Sequence, residues 1–274
     1  MSRQQITSHD GESIGVHITG SGPAVVFLPG WLGHPRDWRP VVQRLREEMT
    51  CHTLEPRPWL GVGDVSVAAM AGDLHALITA ADLRDPLVVG HSMGAFVALE
   101  YLRRFGGDAL GALCLVDQTP RMVTDGDWSL GPGGDFPAGA NRRFIASLRD
   151  DFPGTAFRFL EQGRGESTHR DPRMATLFRE ARWQRVASLD GAPWIAAWED
   201  FSWRDDRAIV AAIALPTLLV YGGAGPYGAP VAHWMQRTIP GARLELRDGI
   251  GHAPQHEDPV AFLEAIRGFA LSRH

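Results

Sequence analysis

Three residue types spread along this 274-residue chain could together perform nucleophilic catalysis. A serine hydroxyl is a weak nucleophile at neutral pH, so it needs a base within hydrogen-bond reach that is itself oriented by a carboxylate. The chain offers Ser92, Asp117 and His252, in that order. Ser92 lies in Leu87-Val88-Val89-Gly90-His91-Ser92-Met93-Gly94-Ala95-Phe96-Val97-Ala98-Leu99. The apolar run predicts a buried strand and Ala95 to Tyr101 predicts a helix, which leaves only Gly90 to Gly94 for the turn. So abrupt a reversal forces its central residue into a strained backbone region, and the flanking glycines avoid the clashes a Cβ would cause. The spacing Gly90-x-Ser92-x-Gly94 is a nucleophile elbow. It thrusts Ser92 out at the top of the sheet and turns the N–H of Met93 toward a developing oxyanion.

His252 sits in Asp248-Gly249-Ile250-Gly251-His252-Ala253-Pro254, a Gly-flanked loop at the carboxyl end of a predicted strand, from which it can reach across to Ser92. Other histidines, His34, His91 and His256 among them, read as turn, surface or packing residues. For the carboxylate, Asp117 ends a buried strand at the catalytic edge. Asp248 is a rival, although four residues before His252 it suits a turn better. Asp205 and Asp206 begin a helix, where acids complement the positive end of the dipole.

The elements that must carry these residues alternate. Ile14 to Thr19 and Ala24 to Leu28 predict strands, Asp37 to Met49 a helix, Cys51 to Leu54 a strand, and Val65 to Ala81 a second helix before the elbow. Leu113 to Val116 is the next strand and runs into Asp117. Such alternation predicts a parallel sheet with helices on both faces and ligands beyond the carboxyl ends of its strands. Ser92, Asp117 and the loop after Leu28 all fall at that edge. From Arg121 to Asp206 the alternation stops: helical segments are predicted around Asn141 to Leu148, Pro172 to Leu189 and Ala192 to Trp198. Five of the nine tryptophans fall there, at Trp128, Trp183, Trp194, Trp198 and Trp203. We expect core segments 1–120 and 207–274 with an inserted helical cap over 121–206, in which Trp128, nearest the catalytic strand end, would line an apolar substrate pocket. Beyond the cap come helix Asp205 to Ala214, strand Thr217 to Tyr221, helix Pro230 to Ile239, strand Arg243 to Leu246 and helix Pro259 to Leu271.

Composition excludes whole chemistries. All 27 basic residues are arginine, so no Schiff-base lysine, pyridoxal-phosphate anchor or Walker lysine exists. Net charge is −5 with no basic block, which argues against nucleic acid or an anionic membrane and for a small-molecule substrate. The longest apolar stretch, Ala208 to Tyr221, is too short for a membrane span and is broken by Pro216. The polar segment Met1 to Glu12 lacks the apolar core of a signal peptide, and Cys51 and Cys114 lie in apolar strand-like runs as buried thiols, so a cytoplasmic setting is expected. Two further patterns compete weakly. Gly223-x-Gly225-x-x-Gly228 with Glu245 mimics a dinucleotide fingerprint, but only one strand follows it, where a dinucleotide-binding half needs more. His252, His256 and Glu257 sit in a loop with Pro254 between them, not in helical His-Glu-x-x-His geometry, so no metal is expected.

The serine, acid, histidine order on a parallel sheet, with Gly90-His91-Ser92-Met93-Gly94 and Gly251-His252 followed by Glu257-x-Pro259, resembles the α/β-hydrolase superfamily over Pro23 to Val116 and Leu215 to Ala270. Many relatives carry His-Gly after the third strand where this chain has Pro29-Gly30. The resemblance still implies that the N–H of Trp31 joins that of Met93 in the oxyanion hole. Relatives usually place the acid after the seventh strand, yet Tyr221-Gly222-Gly223-Ala224-Gly225-Pro226 has no carboxylate, and Gly225 stands about where it would be. Some members carry the acid after the sixth strand, where Asp117 lies. The resemblance implies a cofactor-free serine hydrolase cleaving a carboxylic ester of a small, largely apolar substrate through an acyl-enzyme. A lactonase, thioesterase or cofactor-free perhydrolase would use the same triad, and a slow-turnover ligand receptor signalling through its cap is the alternative of another class. The oligomeric state is not written in these features.

Overall fold

A computed structural model describes residues 2–165 and 172–271. Its centre is an eight-stranded sheet: β1 (Ser2–Thr7), β2 (Ser13–Thr19), β3 (Ala24–Leu28), β4 (Thr50–Leu54), β5 (Leu87–His91), β6 (Ala112–Val116), β7 (Thr217–Gly222) and β8 (Arg243–Arg247). The order is β1-β2-β4-β3-β5-β6-β7-β8. β2 pairs antiparallel with both β1 and β4, and every other pairing is parallel.

The helices are α1 (Arg39–Leu45), α2 (Arg57–Leu60), α3 (Val67–Ala80), α4 (Met93–Phe105), α5 (Ala138–Asp150), α6 (Phe152–Gln162), α7 (Pro172–Ala187), α8 (Gly191–Phe201), α9 (Arg207–Ala211), α10 (Gly228–Thr238), α11 (Pro254–Glu257) and α12 (Pro259–Leu271). Side chains alternate along each strand, so the sheet feeds two apolar layers. Val26, Leu28, Val88, Leu113, Leu115, Leu219 and Tyr221 face α3, α4 and α10. Val25, Phe27, Leu87, Val89, Cys114, Val116, Leu218 and Val220 face α1 and α12. Cys51 and Cys114 are buried free thiols, and burial pushes both well above the usual thiol range.

Several elements differ from the sequence expectation. β1 is an added edge strand whose side chains are almost all exposed, so it lacks the apolar signal of the inner strands. The helix expected from Asp37 to Met49 is a 3-10 turn over Pro35–Trp38 followed by the shorter α1, which begins beside Pro40. α6 was not among the expected helices, and proline and glycine, which interrupt a helix interior, stand near its start. Pro153 occupies the first turn, where its missing N–H costs nothing, and the Asp151 side chain accepts the N–H of Gly154 at 2.9 Å.

Between β6 and β7 the chain makes a helical excursion through α5 to α8. Its two ends lie together: Arg121 bridges Asp205, and the N–H of Asp206 donates to the Pro120 carbonyl at 2.9 Å. Ile145, Leu148, Phe157, Trp194 and Trp198 of the excursion belong to the same apolar cluster as the sheet face beneath them.

Candidate active site

Ser92 follows β5 at φ 52°, ψ −118°, the strained elbow its spacing predicts. A Cβ at Gly90 would overlap the Gly94 backbone, and one at Gly94 would overlap the Leu28 carbonyl. Only glycine at both positions lets β3, the turn and α4 close on one another. The Ser92 N–H donates to the Val116 carbonyl at 3.0 Å. Met93 opens α4, so its N–H has no acceptor within the helix.

The loop after β3 presses onto this turn. A Cβ at Gly30 would stand 3.1 Å from Ser92 Cβ and 2.9 Å from His91 Nδ1, so only glycine there lets the loop after β3 approach the Ser92 turn this closely. The Trp31 side chain is anchored elsewhere: its Nε1 donates to the Trp194 carbonyl of α8 at 2.8 Å. Its ring packs edge-on against Trp198 at 4.8 Å and Phe159 at 5.7 Å, with Phe144 at 6.4 Å.

Asp117 follows β6, fully buried, and is also at positive φ, 44°. Its N–H donates to the Val220 carbonyl at 2.9 Å. Its Oδ2 accepts the N–H of Gly222 at 2.8 Å, and its Oδ1 lies 3.0 Å from His252 Nδ1. That pairing puts the ring proton on Nδ1 and leaves Nε2 free to accept one. Burial and the charge of Asp117 push the Tyr221 and Tyr227 phenols far up, so both stay neutral. The Tyr221 hydroxyl donates to the Gln118 carbonyl at 2.5 Å, and the Tyr227 ring meets the His252 ring edge-on at 5.7 Å.

The structure thus brings Asp117 and His252 together and seats Ser92, His91 and Gly30 against one another. Ser92 Oγ makes no hydrogen bond among the described residues; such contacts are often long before substrate binds. Among the described residues, none of the rival acids pairs with His252. Asp248 is exposed. Asp206, read from sequence as a helix-dipole residue, is instead fully buried between Arg103 and Arg204, and Asp205 pairs with Arg207 at 2.7 Å. The first amides of the Gly223 to Gly228 stretch are already paired: Gly223 donates to Arg247 at the end of β8 at 2.7 Å, Ala224 to Ile250 of the histidine loop at 2.9 Å and Gly225 to Gly222 at 3.1 Å.

Trp128 lies in a different cluster from Trp31. It packs edge-on against Trp234 at 5.1 Å under the Arg207 guanidinium, with Nε1 donating to the Arg121 carbonyl at 2.8 Å. It therefore braces the ends of the excursion. His91, read from sequence as a turn or packing residue, does more than pack: its Nε2 donates to the His252 carbonyl at 2.7 Å. Burial, then the neighbouring His252 ring, push its pKa well down, which keeps that Nε2–H tautomer neutral. Nothing local in the sequence signals a contact 161 residues away.

This strand order, with a strained serine after β5 and a buried aspartate after β6 facing a histidine after β8, is the architecture of an α/β-hydrolase. The chain belongs to the alpha/beta hydrolase family, whose model matches residues 25–265. Among individual proteins it is similar to the pimeloyl-[acyl-carrier protein] methyl ester esterase of Nitrosomonas europaea, at 29% identity over 93% of this chain and 98% of that one. The fold superposes on an esterase from Exiguobacterium antarcticum with TM-score 0.87 at 21% identity, covering 98% of this chain and 100% of the other. A bromoperoxidase from Bacillus anthracis follows at TM-score 0.86 and 20% identity, with the same coverage.

Proposed function

We propose that this protein is a serine hydrolase of carboxylic esters, with Ser92 as nucleophile, His252 as proton shuttle, Asp117 as orienting acid and the N–H groups of Trp31 and Met93 as the oxyanion hole. The observation that carries the reading is the 3.0 Å contact of the buried Asp117 with His252 at the same sheet edge as the strained Ser92. The named activity of the esterase relatives supports the bond type. His252 Nε2 takes the Ser92 proton as Oγ bonds to the acyl carbon. The carbonyl electron pair moves to the oxygen facing Trp31 and Met93, then returns as the alkoxy bond breaks, and the histidine proton leaves with the alcohol. Water, deprotonated by the same nitrogen, releases the acid and restores Ser92.

In this reading residues 121–206 form a cap whose apolar side chains over the sheet suit a small, largely apolar substrate. No helix among the described residues is long and apolar enough to cross a membrane. A reducing, cytoplasmic setting suits the two free thiols.

A panel of p-nitrophenyl esters of rising acyl length, with methyl esters, one lactone and one thioester, tests the reaction class. Steady multiple turnover of esters is expected, together with stoichiometric fluorophosphonate labelling that Ser92→Ala abolishes. Labelling that survives in Ser92→Ala would remove the nucleophile assignment. A single burst without turnover would favour a ligand receptor.

A further inference from the structure

The motif Gly251-His252 followed by Glu257 contains a residue that the proposed mechanism leaves without a task. That residue, Glu257, ends α11 (Pro254–Glu257), five residues beyond the histidine. Its Oε2 accepts two backbone N–H groups at once, from Gly251 at 2.8 Å and from Gly165 at 3.1 Å. Gly251 immediately precedes His252, and Gly165 lies in the cap, just past the end of α6. Beside this pair the His252 N–H donates to the Gly163 carbonyl at 2.7 Å. The cap corner and the histidine loop are therefore joined through backbone groups on both sides, with one carboxylate oxygen as the common acceptor.

Glycine makes the seam possible. A Cβ at Gly251 would overlap the Gly165 nitrogen, and a Cβ at Gly165 would overlap the Gly249 carbonyl while standing 2.7 Å from Glu257 Oε2. On the opposite side of the loop, a Cβ at Gly222 would overlap the Gly251 carbonyl. Gly222 is also the residue whose N–H holds Asp117 Oδ2. Strand end, histidine loop and cap corner thus stack backbone on backbone, and a shift of the corner has no soft side chain to absorb it.

The geometry points to Glu257 as a positioning residue: by holding Gly251 and Gly165 on one oxygen it fixes the His252 imidazole against Asp117 and makes the cap's placement part of the catalytic geometry. This rests on the reading of His252 as the proton shuttle. A charge-assisted acceptor shared by two amides is stronger than a neutral one, and displacing a catalytic group by about 1 Å from a distance costs on the order of a hundredfold in rate.

The test compares Glu257→Ala, Glu257→Gln and Gly165→Ala with the unaltered enzyme, reading kcat and KM on p-nitrophenyl butyrate, thermal midpoint, and the far-downfield proton resonance of His252 Nδ1–H. Glu257→Ala should lower kcat by about ten- to a hundredfold with KM changed less than about twofold, and should shift or broaden the downfield resonance. Glu257→Gln, which keeps an oxygen at the same reach, should restore both readouts to within a fewfold. Gly165→Ala, which pries the seam apart from the cap side, should reproduce the alanine phenotype, and it decides the matter if Glu257→Ala does not fold. A variant pair that loses thermal stability while keeping kcat and the resonance would overturn the proposal, since the seam would then be structural only. Failure of the underlying reading looks different: His252→Ala would itself retain turnover.

Discussion

Asp117 and His252 meet at 3.0 Å although 135 residues separate them, and the same carboxylate is held from its other oxygen by the Gly222 N–H at 2.8 Å. The acid is rooted after β6 yet steadied by the end of β7. Neighbouring parallel strands end together, so a loop after β8 finds one carboxylate presented by two strand ends. Asp117 shares with Ser92 a backbone at positive φ, at 44° and 52°. Each such residue stores of order 1–3 kcal/mol that the surrounding packing must hold.

That strain gives a first prediction. Ser92→Ala should lower kcat by about a millionfold, as loss of a triad serine does elsewhere, without relieving the elbow. Ser92→Gly should be equally inactive but more stable, by about 1 kcal/mol, because glycine adopts this backbone freely and gives back only part of the gain as chain entropy. Urea midpoints of the two variants, compared side by side, read the difference; equal midpoints would mean the elbow is not strained.

The tryptophans should divide by cluster. Trp128→Ala empties a site braced between Trp234 and Arg207, and should cost about 3–5 kcal/mol of stability with acyl-length preference unchanged. Trp31→Phe keeps a ring among Phe144, Phe159 and Trp198 but loses the indole hydrogen bond to the Trp194 carbonyl, which α8 still pairs, at a cost of about 0.5–1.5 kcal/mol. It should also lower kcat, because the indole anchors the loop that carries the proposed oxyanion donor, the Trp31 N–H. Thermal melts and the ester panel separate the two effects. Altered acyl preference in Trp128→Ala would return that residue to the substrate pocket.

Acid sensitivity should trace in part to the N-terminal region. Asp10 is held at about 2, below the ordinary 3.8, chiefly by hydrogen bonds from the Arg57 guanidinium. Arg57 is fully buried and also binds Asp73 at 2.7 Å. Because the folded pKa of Asp10 is depressed, the unfolded chain binds the proton first. The contribution is present in full above about pH 4 and is lost as pH falls toward 2. Asp10→Asn should be less stable than the parent at pH 6 and should lose less on acidification through that window. With Asp10 partly exposed, added salt should narrow the gap. Parallel urea titrations at pH 6 and pH 2.5 would show it; an unchanged acid dependence would assign the window to other carboxylates.

How much of this could be read in advance depends on how local each signal is. The elbow was legible because strand, two glycines and helix lie within thirteen consecutive residues and each constrains the others. β5, β6 and β7 were legible as short apolar runs, and β8 as the alternating Arg243-Leu244-Glu245-Leu246. β1 was not, since an edge strand with one half-buried isoleucine has no apolar face to display. α6 hid behind Pro153 and Gly154, whose helix-breaking reputation does not hold in a first turn. The roles of His91 and Glu257 were invisible for another reason: His91 reaches the His252 carbonyl and Glu257 the Gly165 N–H, in distant segments, and backbone partners leave no mark on residue type. The placement of Trp128 likewise turned on α10, a neighbour more than a hundred residues away.

The last prediction concerns Gly225, where the sequence lacks the acid that many relatives carry after the seventh strand. A Cβ placed there would stand 3.0 Å from Asp117 Oδ2 and 3.3 Å from Oδ1, so the vacant position and the occupied one open onto the same space before His252. Two carboxylates so close would repel and could not both ionise beside one imidazole, so the chain has room for an acid at either strand end but not at both. Asp117→Asn should lower kcat by about ten-thousandfold, because the amide cannot enforce the Nδ1–H tautomer or stabilise the imidazolium. Asp117→Ala should do the same while clearing the space. Adding Gly225→Asp to Asp117→Ala should then recover part of the lost kcat, whereas Gly225→Asp alone should impair the parent enzyme. Full activity in Asp117→Asn would remove Asp117 from the mechanism. A dead double variant that folds normally would show that the end of β7 cannot deliver an acid to this histidine, and that the β6 position is the one geometry the loop accepts.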